Sequence, residues 1–164
     1  MSLDALRTNA QMPLHTARLV AEASGGHHDL TLAVCGLSYL PEVADTRESP
    51  SEILIDHLLE NGSTVRLHDP ILETWLERPD LVLSPELDDA LHGVDGIVFA
   101  VPHLQYRELS AAKLIECVGR PAFVVDAQNV VSDSAAEELH AAGWRVFGVG
   151  KGHWRKRLFH LPLV

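Results

Sequence analysis

The stretch from Leu32 to Asn61, LAVCGLSYLPEVADTRESPSEILIDHLLEN, limits the possible folds more than any other part of the chain. Thr31 to Cys35 is short and apolar, with β-branched Thr31 and Val34, and suits a buried strand. Gly36 to Ser49 is a polar loop. A helix then starts at Pro50 and ends at Gly62. Ser49 is placed to cap it, Pro50 fits its first position, and Glu52 completes a capping box. Ile53, Leu54, Leu58 and Leu59 recur at helical spacing and predict one apolar face. Strand, loop and helix in this order make the first half of a βαβ unit. In open parallel sheets ligands sit beyond the carboxyl ends of the strands, which places this loop at a binding edge. The free N–H groups at Ser49 to Glu52 suit an anion, and Arg47 adds a planar fork for phosphate or carboxylate.

The rest of the chain repeats the alternation. Met1 to Ser24 reads as a helix with Leu14, Ala17, Leu19, Val20 and Ala23 on one face. Gly25 and Gly26 end it, and Pro13 is expected to kink or open it. Strands are predicted at Thr64 to His68, Leu81 to Leu83, Asp95 to Val101, Ala122 to Asp126 and Trp144 to Val149. Helices are predicted at Ile71 to Glu77, Pro85 to Leu91 with Ser84 as cap, Ser110 to Val118 and Asp133 to Ala142. This pattern predicts an α/β fold: a doubly wound, Rossmann-like parallel sheet of five to six strands with helices on both faces, preceded by an N-terminal helix. Residues 1–26 form that helix and residues 27–164 the sheet domain.

Composition narrows the function. A net charge of −10 argues against a nucleic-acid surface. The exception is KGHWRKR, Lys151 to Arg157, with four formal positive charges and a Trp. It reads as a solvated or subunit-contacting tail, with phosphate contact as the alternative. No apolar run approaches the ~18 residues of a membrane span, and no signal-peptide core opens the chain, so a cytoplasmic location is expected. The ten histidines lack metal-ligand spacing, and no metal is expected. Cys35 and Cys117 read as buried free thiols. Asp69, at the end of the second strand, reads as a turn residue before Pro70, since no glycine fingerprint supports a ribose-binding acid. His103 and Tyr106 fall on the ligand edge after the Asp95 to Val101 strand.

GLSYLPEVADTRESPS resembles the G-L-x-Y-K-P-x-x-x-D-x-R-x-S-P signature in the C-terminal domain of the nucleotide-sugar 6-dehydrogenases, which act on UDP-glucose, UDP-N-acetylmannosamine or GDP-mannose. VRLHDP, DGIVFAVPHLQYREL, VVDAQNV and VFGVG follow in that family's order, so the resemblance spans roughly residues 30–152. Asn9, Gln11 and Pro13 are similar to the end of the family's central helical region, which builds a dimer.

The resemblance implies a UDP-sugar-binding domain that closes over an NAD domain. Tyr39, Leu40 and Gln128 match substrate-binding positions, and Arg47 and Asp45 match cofactor-side positions, with Asp45 orienting Arg47. Leu40 stands where the family has Lys, and Gln128 where it has Arg. Two cations are therefore absent from a diphosphate site. The glycine fingerprint for NAD and the stretch carrying the nucleophilic Cys are also absent, so no catalytic residue is assigned and the chain is not expected to oxidise a sugar alone. The expectation is a domain of an NAD-dependent UDP-sugar 6-dehydrogenase, with NAD held by a domain outside this sequence and a homodimer or missing dehydrogenase domains as partner. The alternatives are a stand-alone interaction or regulatory domain that kept the fold and lost nucleotide binding, and an unrelated Rossmann-like nucleotide binder.

Overall fold

A computed structural model describes residues 3–154, with residues 3–10 described by backbone alone. In chain order the elements are α1 (Leu3–Ala23), β1 (Thr31–Cys35), α2 (Pro50–Glu60), β2 (Thr64–His68), α3 (Leu87–Leu91), β3 (Gly96–Phe99), α4 (Leu104–Arg107), α5 (Ala111–Val118), β4 (Phe123–Asp126), α6 (Asp133–Ala141) and β5 (Arg145–Gly148). The five strands form one sheet in the order β2-β1-β3-β4-β5, with every pairing parallel. Neighbours align from the amino edge, Thr31 with Thr64 and Leu32 with Gly96.

Strand residues alternate between two cores because successive side chains point to opposite faces. Ala33, Cys35, Ile97, Phe99, Val124 and Val146 face α3, α5 and α6. Leu32, Val34, Val98, Val125 and Phe147 face α1 and α2. Both faces are covered, which explains the near-continuous apolar strands.

Several local expectations change. Ser49 does cap α2, but its hydroxyl accepts from the Ser51 N–H, and Glu52 reaches Arg78 instead of closing a capping box. The buried stripe of α2 is Ser51, Leu54, Ile55 and Leu58, whereas Ile53 and Leu59 are exposed. Ser51 explains the phase: its hydroxyl donates to the Gly36 carbonyl at 2.9 Å, so a polar residue begins the inward stripe. The α1 helix runs through Pro13 unbroken. Its packing on α2, β4 and β5 outweighs the ~3 kcal/mol that an interior proline costs. That packing buries Ala17, Leu19, Val20 and Ala23 within the chain and leaves Leu14 exposed.

Residues 71–77 form turns rather than a helix. The Asp69 carboxylate takes the Ile71 N–H, and Trp75 is driven into the α1–α2 core. Leu81 to Leu83 contributes a single bridge, Leu67 to Leu83, in place of a strand. The next helix starts at Leu87, after Glu86, and Ser84 instead donates its N–H to the Leu67 carbonyl. Among the described residues, no helix is long and apolar enough to cross a membrane.

Candidate functional site at the carboxyl edge

In the order β2-β1-β3-β4-β5, the chain leaves β1 toward one side of the sheet and returns on the other. The β1/β3 boundary is therefore the topological switch point, where open α/β sheets bind ligands. The loop Gly36 to Ser49 leaves β1 here, and Ala100 to His103 leaves β3 beside it. Gly36 makes this convergence possible. Its φ is 103°, and a Cβ on it would lie 2.6 Å from the Val101 backbone nitrogen.

Under the loop lies a buried polar network drawn from three strand ends. Asp69, after β2, accepts from the Leu37 N–H at 2.8 Å and the Ser38 N–H at 3.1 Å. His103, after β3, places Nε2 at 2.9 Å from the same carboxylate oxygen and 3.1 Å from the Ser38 hydroxyl. Its Nδ1 accepts the Glu42 N–H at 3.1 Å, which assigns the ring proton to Nε2. The Ser38 hydroxyl donates to the Leu40 carbonyl at 3.0 Å. Burial pushes the Asp69 carboxyl up, but hydrogen bonds from His103, Leu37 and Ile71 outweigh it and hold the group below the usual carboxylate range. Tyr106 packs edge-on to His103 and donates its hydroxyl to the His68 carbonyl at 2.9 Å.

Ser, His and Asp in contact invite comparison with a hydrolytic triad, but the wiring differs. Serine and aspartate share Nε2, the serine proton is directed at a carbonyl, and Ser38 and His103 are fully buried. The network fixes a loop; it does not activate a nucleophile. Asp69 accepts hydrogen bonds from Leu37, Ser38, Ile71 and His103, which makes it the structural pin of the loop. Sequence reading placed Asp69 and His103 at strand ends. Their union with Ser38 depends on the order in which the strands sit side by side.

Above this base lies the rim. Tyr39, Leu40 and Val43 are exposed on the loop, and Leu104 is exposed beside them at the start of α4. The loop closes on itself through the Tyr39 N–H and the Asp45 carbonyl, 2.6 Å apart. Arg47 and Asp45 form a two-pronged pair, Nε to Oδ1 at 3.0 Å and the terminal nitrogen to Oδ2 at 2.9 Å. Hydrogen bonding from Arg47 holds the Asp45 carboxyl down to about 2. The Arg47 side chain is 79% exposed, so its outer edge faces solvent already oriented.

Gln128 sits apart from this group. The Asp126 carboxylate gathers the N–H groups of Gln128, Val130 and Val131 and turns Gln128 outward. There it lines a small cleft with Pro13, Thr16, Pro50 and Ser51. The structure thus brings Tyr39, Leu40, Asp45 and Arg47 together on one loop and places Gln128 across the start of α2. Neither thiol is poised for chemistry. Burial pushes Cys35 far up, and burial with a hydrogen bond to Asp88 raises Cys117.

A parallel sheet of order 2-1-3-4-5, with loops converging over its carboxyl edge, defines a Rossmann-like α/β domain. Residues 33–133 match the profile of the UDP-glucose/GDP-mannose dehydrogenase family, UDP binding domain, and the chain belongs to that family. It is 30% identical over 152 residues to a UDP-glucose 6-dehydrogenase of Rickettsia felis, an alignment covering 88% of this chain and 33% of the relative. It is 31% identical over 150 residues to a UDP-N-acetyl-D-mannosamine dehydrogenase of Methanococcus maripaludis, covering 89% of this chain and 33% of that one. The chain therefore spans about a third of the curated relatives it matches. Among solved structures it resembles an NDP-N-acetyl-D-galactosaminuronic acid dehydrogenase from Methanosarcina mazei, with a TM-score of 0.76 and 25% identity, covering 84% of this chain and 29% of that chain.

Proposed function

We propose that this domain binds the diphosphate end of a UDP-sugar at the β1/β3 edge. In this reading it serves an NAD-dependent 6-dehydrogenase that oxidises a UDP-hexose to the hexuronate. One observation carries the reading most directly: the family's loop stands at the switch point with Arg47 oriented by Asp45 and Tyr39 exposed beside it. Tyr39 offers a ring face and a hydroxyl to the ligand, Leu40 an apolar contact, and Gln128 a neutral amide. Arg47 faces the cofactor across the domain cleft. NAD and the nucleophile belong to the remaining two thirds of the dehydrogenase. The complete enzyme works as a cytoplasmic homodimer.

Titration calorimetry of the domain with UDP, UDP-glucose and GDP tests the reading. Saturable binding of one of these diphosphates, weakened by Tyr39→Ala, is expected. Absence of heat with all three would overturn it.

The exposed rim of Tyr39, Leu40, Val43 and Leu104 favours a second reading, in which the edge binds a protein and no nucleotide. That reading requires that the wild-type chain give no heat with UDP, UDP-sugars or NAD, even where Leu40→Lys and Gln128→Arg restore some binding.

A further inference from the structure

The carboxyl edge is poor in free cations. Arg47 is engaged by Asp45, Arg78 by Glu52, Asp56 and Asp80, and Arg107 by the Pro102 carbonyl. With Leu40 and Gln128 in place, Arg47 is the one cation on the β1 and β4 loops, and part of its fork is already given to Asp45.

Lys151 stands on the same edge, in the segment that follows β5. The β4 and β5 ends are in register, Asp126 opposite Gly148, and the Val149 N–H donates to the Asp126 carbonyl at 2.9 Å. The loop bearing Lys151 is therefore the immediate neighbour of the loop bearing Gln128. Its ammonium lies 5.0 Å from the Trp154 ring centroid. Together with hydrogen bonds from His153 and Trp154, its charge helps to hold the Asp133 carboxyl below the usual carboxylate range, without a direct ion pair among the described residues. An ammonium over an indole face keeps its outer hemisphere available to an anion.

The seat for this lysine is built. Trp154 is buried, and its indole N–H donates to Asp133 at 2.8 Å, at the start of α6. His153 Nε2 lies 2.9 Å from the same carboxylate oxygen, so both hydrogen bonds to that acid come from these two groups. Gly148 has to be glycine for this arrangement to exist. A Cβ there would lie 2.7 Å from the Lys151 Cγ and 3.0 Å from the Trp154 ring. Gly148 thus makes room for the lysine stem and the indole against the strand end.

We infer that Lys151, seated on Trp154 and Gly148, supplies the phosphate-binding cation of this site in place of the cations absent at Leu40 and Gln128. The inference rests on the UDP-binding reading and adds a residue and a direction to it: the diphosphate extends from the β1/β3 edge across the β4 loop toward the end of β5. Arg155, Lys156 and Arg157 continue the basic run but lie outside the described residues.

The test is calorimetry with UDP and with uridine on the wild-type chain, Lys151→Gln, Lys151→Arg and the triple variant Arg155→Gln, Lys156→Gln, Arg157→Gln. Thermal melting checks each fold, and the Trp154 indole resonance is followed by NMR. In Lys151→Gln, UDP affinity should fall roughly tenfold, the scale of one charge-assisted hydrogen bond, while uridine binding stays unchanged. Lys151→Arg should keep most of the UDP affinity, and UDP but not uridine should shift the Trp154 resonance. Equal UDP binding by wild type and Lys151→Gln overturns the inference and leaves the UDP reading standing. A loss confined to the triple variant also overturns it, by moving the cation into the tail. Loss of uridine binding along with UDP in Lys151→Gln overturns it as packing damage. No UDP binding by the wild type overturns both readings.

Discussion

The base and the rim of the Gly36 to Ser49 loop are built on opposite principles. The base is buried and fully bonded: Ser38, Asp69 and His103 satisfy one another and the backbone of Leu37, Ser38 and Glu42. The rim, Tyr39, Leu40, Val43 and Arg47, is exposed and held by short contacts within the loop itself. A buried polar group left without its partner costs about 1–3 kcal/mol, whereas exposed substitutions usually stay within about 0.5 kcal/mol. The fold therefore resists change at the base and tolerates it at the rim. That division explains how the loop keeps its family shape while Leu40 stands where a lysine is expected. Loop position is set at the base, and in the proposed reading ligand chemistry is set on the rim above it.

This contrast can be broken in graded ways. The largest effect is expected at the loop's origin. Gly36→Ala combines a positive φ with a clash against Val101 and should cost about 3–5 kcal/mol in urea unfolding, or prevent folding. Asp69→Ala removes the carboxylate shared by three backbone N–H groups and His103 and should cost about 2–4 kcal/mol. His103→Leu keeps the volume but frees the Glu42 N–H. It should cost about 1–3 kcal/mol and raise amide exchange at Glu42. At the other extreme, Tyr39→Ala and Leu40→Ala should alter stability by no more than about 0.5 kcal/mol and act only on ligand binding. A rim substitution that unfolds the domain would erase the distinction.

Acid sharpens the same comparison. Asp69 has a folded pKa below its unfolded value, so its contribution is complete above the unfolded carboxyl range near ~4 and is lost as pH falls through the lowered folded value. Wild-type stability should therefore drop more steeply than that of Asp69→Asn as pH falls below about 5. Asp45 titrates in the same direction but is exposed on the rim, so Asp45→Asn should leave that slope nearly unchanged.

Sequence reading recovered what local chemistry writes down. The β1 and β2 bounds, the Ser49 cap, the Gly25–Gly26 stop and the loop between Gly36 and Ser49 all carry their own residues as signals. The resemblance supplied the Asp45–Arg47 partnership, and the side-chain geometry bears out the contact. Errors arose where tertiary packing chose between local options. The α2 stripe begins at Ser51, whose hydroxyl finds the Gly36 carbonyl, so its phase was invisible to a hydrophobic count. Residues 71–77 have helical composition, yet Trp75 is worth more in the core than a short exposed helix. The base of the site was the least legible part, because Ser38, Asp69 and His103 meet only once β1, β2 and β3 lie side by side.

The most direct test of the central claim maps UDP onto the backbone by ¹H–¹⁵N NMR of the isotope-labelled chain. Shifts confined to Tyr39, Leu40, Arg47, Gln128 and the segment after β5, with the base amides of Leu37 and Ser38 unmoved, are the predicted result. Shifts confined to the amino edge of the sheet, or none at saturating UDP, would contradict the account.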